Sequence, residues 1–281
     1  MTWASRPRRP SRQETRLTTE PLVLVNQDGA VRTLTLNRPA ALNSFTAALH
    51  RQLREALEAA AQDPGVRCVV LTGAGRGFCA GQDLHDPDMA PGPEGTVDIG
   101  AVIEAHYKPL ALLLRRMPVP VLARVQGVAA GAGANLALGC DMVVAGRSAS
   151  FIQAFSKIGL IPDCGGTWLL PRLAGRAVAL GLALTGERLP AEEAERLGLI
   201  WRCVDDAQLD EAVTALAHRL AAMSTRALAV TRQCLDQAVQ LDMAAALDQE
   251  AHWQRELGRA HDFREGVEAF TAKRAPVFRD R

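Results

Sequence analysis

The sequence predicts an α/β fold that passes into a purely helical C-terminal region, and three observations carry that prediction. Short β-branched runs alternate with helix-period segments through the first two thirds of the chain, the pattern of strands packed against helices. Two small-residue segments, Gly75-Arg76-Gly77-Phe78-Cys79-Ala80-Gly81-Gln82-Asp83-Leu84 and Gly127-Val128-Ala129-Ala130-Gly131-Ala132-Gly133-Ala134-Asn135, each follow a strand-like run. From Arg172 onward the hydrophobic period is helical almost without a break.

Taken in order, Pro21–Asn26 and Val31–Leu36 flank Asp28-Gly29 and read as a hairpin. Phe45–Ala61 has helical periodicity, with Ser44 in the N-cap position. Cys68–Thr72 reads as a short buried strand. The Pro-, Gly- and Asp-rich stretch 85–98 reads as a mobile loop over a site, and Ile99–Met117 as a helix. Val119–Val125 and Asp141–Ala145 are strands bracketing the second small-residue turn and the helix it opens. Helices then follow at Ala177–Thr185, Pro190–Leu197, Leu209–Ala222 and Thr225–Val239, with two more near residues 243–257 and 262–273. The chain divides into a tail (1–19), a core (20–223) and a helical region (224–281). The tail carries Arg6, Arg8, Arg9, Arg12 and Arg16 among prolines and has no apolar stretch. It reads as disordered and as no secretory leader.

Composition excludes several functions. The 281 residues are 48% hydrophobic with a net charge of +1, which gives no bulk attraction for nucleic acid. No run approaches the roughly 18 apolar residues that span a bilayer. The six cysteines (68, 79, 140, 164, 203 and 234) form no C-x-x-C pair and no zinc spacing with histidine. Four lie among small or apolar residues, as reduced buried thiols do, which suits a cytoplasmic protein. There is no phosphate-binding Walker loop and no Ser–His–Asp spacing, and no metal or redox cofactor is implied.

Small residues such as Ala80 and Gly81 let a ligand approach the backbone closely enough to take a main-chain N–H. Two such donors aimed at one point form an oxyanion hole, the device for a carbonyl that becomes an enolate. Either segment alone equally suits a tight turn beside a parallel sheet.

Together with Leu36-Asn37-Arg38-Pro39, Leu42-Asn43, Pro162-Asp163-Cys164-Gly165-Gly166-Thr167 and the terminal Phe270–Phe278 run, the two segments fall in a known order and spacing. From about residue 20 to the C-terminus the chain resembles the crotonase (enoyl-CoA hydratase/isomerase) superfamily. The Ala154–Trp168 block is most similar to the branch that isomerises ring 1,2-epoxyphenylacetyl-CoA. The resemblance implies a spiral of ββα turns followed by helices that assemble trimers, or dimers of trimers. It implies an acyl-CoA thioester as substrate, with coenzyme A entering only as part of that substrate.

The resemblance also implies site residues. Backbone N–H groups of Ala80 and Ala132 form the oxyanion hole, with Gly81, Gln82, Asp83 and Leu84 on the substrate side of the first segment. A helix opening near Ala132 would add its N-terminal dipole. The family's hydratases use two glutamates, at positions that here hold Asn135 and Phe155, and neither side chain titrates near neutrality. Hydration by the usual carboxylate pair is therefore not expected.

Asp163 remains as a single proton carrier, which suffices to move a proton between two carbons. The alternative is that it caps a helix beginning at Gly165-Gly166-Thr167. Burial beside Phe155 and Trp168 would raise its pKa, and a helix N-terminus would lower it. Asn135 orients the substrate or satisfies buried backbone. Asp83 is a second carboxylate at the mouth or a solvated loop residue. By resemblance Arg38 and Ala41 line the nucleotide groove, and Lys273 reaches the phosphates of CoA on a neighbouring subunit, although a cation also suits a helix C-terminus.

Two activities fit these parts: opening of ring-epoxidised phenylacetyl-CoA to oxepin-CoA, and transfer of a 3-enoyl-CoA double bond to the 2-position. A third reading is an acyl-CoA-binding scaffold without turnover, indifferent to Asp163.

Overall fold

A computed structural model describes residues 21–281, so the expectation for residues 1–19 lies outside the described residues. Strands β1 (Val23–Asp28) and β2 (Val31–Leu36) form the expected hairpin, paired from Val23 with Leu36 to Asp28 with Val31. Gly29 turns it with φ +56°, a backbone region in which only glycine is free of steric cost. Helix α1 (Ala47–Gln62) follows, and its cap is Thr46, whose side chain accepts from the Leu49 N–H. Ser44, the expected cap, is buried and its carbonyl accepts from the Arg38 guanidinium instead. α1 turns Leu49, Leu53 and Leu57 into the core at the i, i+4 spacing of one helix face.

Strand β3 (Cys68–Gly73) is buried along its whole length, as a strand covered on both faces must be. The stretch 85–98 is irregular apart from one 3-10 turn at Pro87–Met89. The helix expected from 99 runs continuously to Arg115 but changes type within it: α2 (Ile99–Val102), a π-helical segment Ile103–Tyr107, and α3 (Lys108–Arg115).

Strand β4 (Val121–Val125) leads to a three-residue strand β5 (Val128–Ala130) and then to α4 (Ala132–Leu138), all seven residues of which are buried. Next come β6 (Met142–Gly146), β7 (Ser150–Ile152) and α5 (Gly166–Thr185), which kinks at Gly175. β8 (Arg188–Pro190), α6 (Ala191–Arg196), β9 (Arg202–Val204) and α7 (Leu209–Ala221) complete the core.

The main sheet has the order β1-β2-β3-β4-β6-β9, parallel except for the β1–β2 hairpin. A smaller sheet, β5-β7-β8, lies beside it. From β5 onward the chain passes back and forth between the two sheets, as the spiral that the resemblance implies would do. The main sheet delivers the ends of β3 and β4 to one place, and both small-residue segments leave from there.

Helices α8 (Thr225–Ala238), α9 (Met243–Gly258) and α10 (His261–Thr271) stand apart in character: α9 buries no residue and α8 buries only Thr225. Arg232 on α8 holds both carboxylate oxygens of Asp141 at 3.0 and 2.7 Å. The chain end returns to the core, where the Arg281 guanidinium donates to the carbonyls of Ala60 and Val66.

Candidate functional site

The two small-residue segments meet by backbone pairing. Phe78 and Cys79 donate to the Val128 carbonyl, and Ala130 donates to the Cys79 carbonyl at 2.9 Å. Close packing explains two glycines. A Cβ on Gly133 would lie 2.4 Å from the Cys79 carbonyl oxygen, so α4 can approach the first segment only with glycine there. Gly81 has φ +91°, and a Cβ on it would sit 3.0 Å from Ala130 O and 3.5 Å from Ala132 N. The turn at Gly81 therefore lies directly against the start of α4.

Which amides are free corrects the sequence reading. The Ala80 N–H donates to the Leu42 carbonyl at 2.9 Å, so it is engaged within the fold. Phe45 pairs around the next turn, donating to Gly81 O and accepting from the Asp83 N–H. Between them, the Gln82 N–H finds no acceptor among the described residues. Neither does the N–H of Ala132, which heads α4 and has no preceding turn to bond. The unbonded pair is thus Gln82 and Ala132, with Ala80 only a wall of the cavity they border. That cavity, about 270 Å³, is also lined by Leu84, Ile103, Tyr107 and Asp163.

Asp163 is not a cap. The N-cap position of α5 is Gly165, in the left-handed region with φ +83°, and no side chain bonds the first turn. Oδ1 of Asp163 is buried without a hydrogen-bond partner among the described residues. Burial raises its pKa to about 7, only partly offset by its own backbone N–H. Desolvation is therefore the larger effect, and it holds the carboxyl well above the ordinary carboxylate range.

Asn135 is fully buried and both ends of its amide are engaged. Nδ2 donates to the Asp163 carbonyl at 2.9 Å, and Oδ1 accepts from Gln153 at 2.8 Å. It ties the Asp163 loop to α4, the second of its two expected roles. Phe155 is buried at the wall of the cavity. Trp168 does not join it there: Trp168 lines a separate chamber and is flanked by Arg115 and Arg172, whose guanidinium carbons lie 5.4 and 4.2 Å from its ring centre.

Asp83 has the opposite surroundings. Its Oδ2 accepts from Arg38 at 2.9 Å and its Oδ1 from the His85 N–H at 3.0 Å. These bonds hold its pKa below the ordinary carboxylate value, so it is an anchored, part-exposed anion and not poised as a base. Arg38 in turn is bonded to Asp83 and to the Ser44 carbonyl. Ala41 closes the adjoining 3-10 turn Pro39–Ala41. Lys273 is exposed just beyond α10 and lines neither chamber.

Sequence reasoning missed Tyr107. The only tyrosine of the chain is 1% exposed, and its hydroxyl donates to Gln82 Oε1 at 2.7 Å. Its pKa is pushed well up, first by burial and then by the charge of Asp163. That it is the chain's single tyrosine was the available signal. Cys79, Cys140 and Cys164 are buried with pKa values raised by desolvation, so none is a reactive thiolate.

The family model for enoyl-CoA hydratase/isomerase matches residues 26–281. The chain is 52% identical over 257 residues to the 1,2-epoxyphenylacetyl-CoA isomerase of Escherichia coli K12, covering 91% of this chain and 97% of that one. It is 37% identical to the 2,3-dehydroadipyl-CoA hydratase of the same organism, covering 92% and 99%. Among solved structures, an enoyl-CoA hydratase of Mycobacterium smegmatis superposes with a TM-score of 0.84 at 35% identity, over 92% of this chain and 98% of that one.

Proposed function

The chain belongs to the enoyl-CoA hydratase/isomerase family, and on that footing we propose that it isomerises CoA thioesters, converting ring 1,2-epoxyphenylacetyl-CoA to oxepin-CoA. The observation that carries this reading is Asp163, in the lining of the cavity, with a buried carboxylate oxygen that has no partner among the described residues and a pKa raised to about 7, while the positions of the hydratases' two glutamates hold, by resemblance, Asn135 and Phe155. The 52% identity to a relative named for that reaction supports the choice of substrate.

In this mechanism the thioester oxygen accepts hydrogen bonds from the Gln82 and Ala132 N–H groups. Each such donor is worth roughly 3 kcal/mol as charge develops on the oxygen. Asp163 removes a proton from the α carbon, and the electron pair enters the thioester as an enolate. The ring carbon–carbon bond shared with the epoxide opens, leaving oxygen in a seven-membered ring. The carboxylic acid then returns its proton to a ring carbon, so substrate and product have the same atoms.

The same groups move a proton from the α to the γ carbon of a 3-enoyl-CoA, and that isomerisation is the second reading, favoured by the lone base. A scaffold without turnover has no use for a desolvated carboxylate that destabilises its own fold. By the family resemblance, the CoA phosphates meet Lys273 of a neighbouring subunit, and no cofactor takes part.

We also infer a homotrimer, or a dimer of trimers, supported by apolar side chains on the helical region such as Met243 (78% exposed), Phe270 (86%) and Val277 (73%). Its mass by light scattering tests this. A cytoplasmic setting is supported by free thiols at all six cysteines.

Assay of the purified protein with epoxyphenylacetyl-CoA, a 3-enoyl-CoA and crotonyl-CoA tests the reaction. Isomerisation of the first two and little hydration of the third is expected. Hydration at a comparable rate would overturn the single-base mechanism.

A further inference from the structure

Behind the cavity that holds Asp163 lies a second chamber of about 520 Å³. Its walls are chiefly apolar, from Ala111, Leu112, Leu114, Leu136 and Leu169, with Trp168 alongside. Its far side carries the ion pair between Arg115 of α3 and Asp236 of α8. Two residues line both chambers, Ile103 and Tyr107, both from the π-helical segment between α2 and α3. The partition between the chambers is therefore a side-chain wall, with Tyr107 as its bulk.

Tyr107 is fixed from several sides. Its ring meets His50 edge-on at 4.4 Å and Phe45 at 5.8 Å, and its hydroxyl is held by Gln82 Oε1. That last bond joins the wall to the residue whose N–H borders the cavity. A π-helical turn interrupts the regular i→i−4 ladder, and such turns are frequent at functional sites.

We propose that Tyr107 sets the acyl-size limit of this site, by closing off an apolar chamber that would otherwise take the distal part of a long linear acyl chain. The inference rests on the reading of the cavity as an acyl-thioester site, but not on the identity of the reaction. With the wall in place, the cavity beside Asp163 offers about 270 Å³ and does not reach the second chamber. Without it, the two chambers become continuous and their apolar lining is open to further methylenes. Each methylene moved from water to an apolar wall is worth about fourfold in affinity.

The test compares binding of two saturated, unreactive thioesters, butyryl-CoA and decanoyl-CoA, by calorimetry on wild type, Tyr107→Ala and Ile103→Ala. Both substitutions thin the same wall, and Ile103→Ala does so at a half-buried position where folding is less at risk. Expected is a rise of about tenfold or more in the decanoyl-to-butyryl affinity ratio for Tyr107→Ala, with a smaller rise in the same direction for Ile103→Ala. Tyr107→Phe, which keeps the ring and loses only the hydroxyl, should leave the ratio within about threefold of wild type. An unchanged ratio in both wall variants overturns the proposal, as does a wild type that already prefers decanoyl-CoA by the full methylene increment. A shifted ratio in a protein that isomerises neither candidate substrate would retain the wall and reject the reaction.

Discussion

Two loops at the mouth of the cavity each carry an aspartate, and they treat it in opposite ways. After the first small-residue segment, Asp83 is bonded by Arg38 and by the His85 amide, and its pKa is held down. Before α5, Asp163 has a buried oxygen with no partner, and its pKa rises to about 7. The residue type is the same. What differs is whether the charged form is solvated by the protein, and that difference separates an anchor from a base. Asp83 fixes the turn that carries Gln82, whereas Asp163 is left able to exchange a proton at neutral pH.

The largest expected effect follows directly. Asp163→Asn should lower isomerisation by about 10²–10⁴-fold, the usual cost of removing a general base. Asp83→Asn should cost no more than about tenfold, and should show it in thermal stability as well, because the Arg38 charge loses its partner. Equal losses from the two substitutions would erase the distinction.

Stability against pH sharpens the comparison. Between pH 3.8 and about 7 the native protein keeps a proton on Asp163 that the unfolded chain has released. The native state therefore binds more protons across that window, and this group makes stability fall as pH rises through it. Asp163→Asn removes the penalty, so it should stabilise the fold by on the order of 2–4 kcal/mol at pH 8 and by little near pH 4. Asp83, with its lowered pKa, contributes with the opposite sign: its stabilisation is present above the ordinary carboxylate pKa and lost on acidification. Denaturant unfolding of the two Asn variants at both pH values reads the contrast.

A smaller effect is expected at Asn135, which ties the Asp163 carbonyl to α4. Asn135→Ala should cost about 1–3 kcal/mol for the buried partners left unpaired. It should also reduce kcat more than it raises KM, since it displaces the base without removing it. Pre-steady-state rates with the 3-enoyl-CoA check the split.

Much of this was legible in the residues. The hairpin at Asp28-Gly29 and the helix start at Ala132 follow from local pattern, whereas Asp163 stood out only through the family resemblance, which marks positions 135 and 155 as those of the hydratases' glutamates. The three-residue strands β5, β7, β8 and β9 were not legible, because a period of two cannot establish itself over three residues and their pairing is wholly tertiary. The free amide was misplaced by two residues for a related reason. Which N–H faces the cavity depends on the bridge between Gln82 and Phe45 and on the Leu42 carbonyl taking the Ala80 amide, contacts between segments some 35–40 residues apart. The sign of the Asp163 shift needed the same information, since burial and the helix terminus act in opposite directions and only packing says which is larger. Tyr107 became visible only when the π-helical segment turned it between the two chambers.

The central claim is that Asp163 carries the α proton. Exchange of that proton with deuterated solvent can be followed by NMR on a bound, unreactive thioester such as phenylacetyl-CoA, in wild type and in Asp163→Asn, across pH 5.5 to 8.5. The account predicts exchange in the wild type that rises with pH through about 7, the pKa to which burial brings this carboxyl, and loss of about 100-fold or more in the variant. Exchange at the wild-type rate in Asp163→Asn, with the same pH dependence, would contradict it.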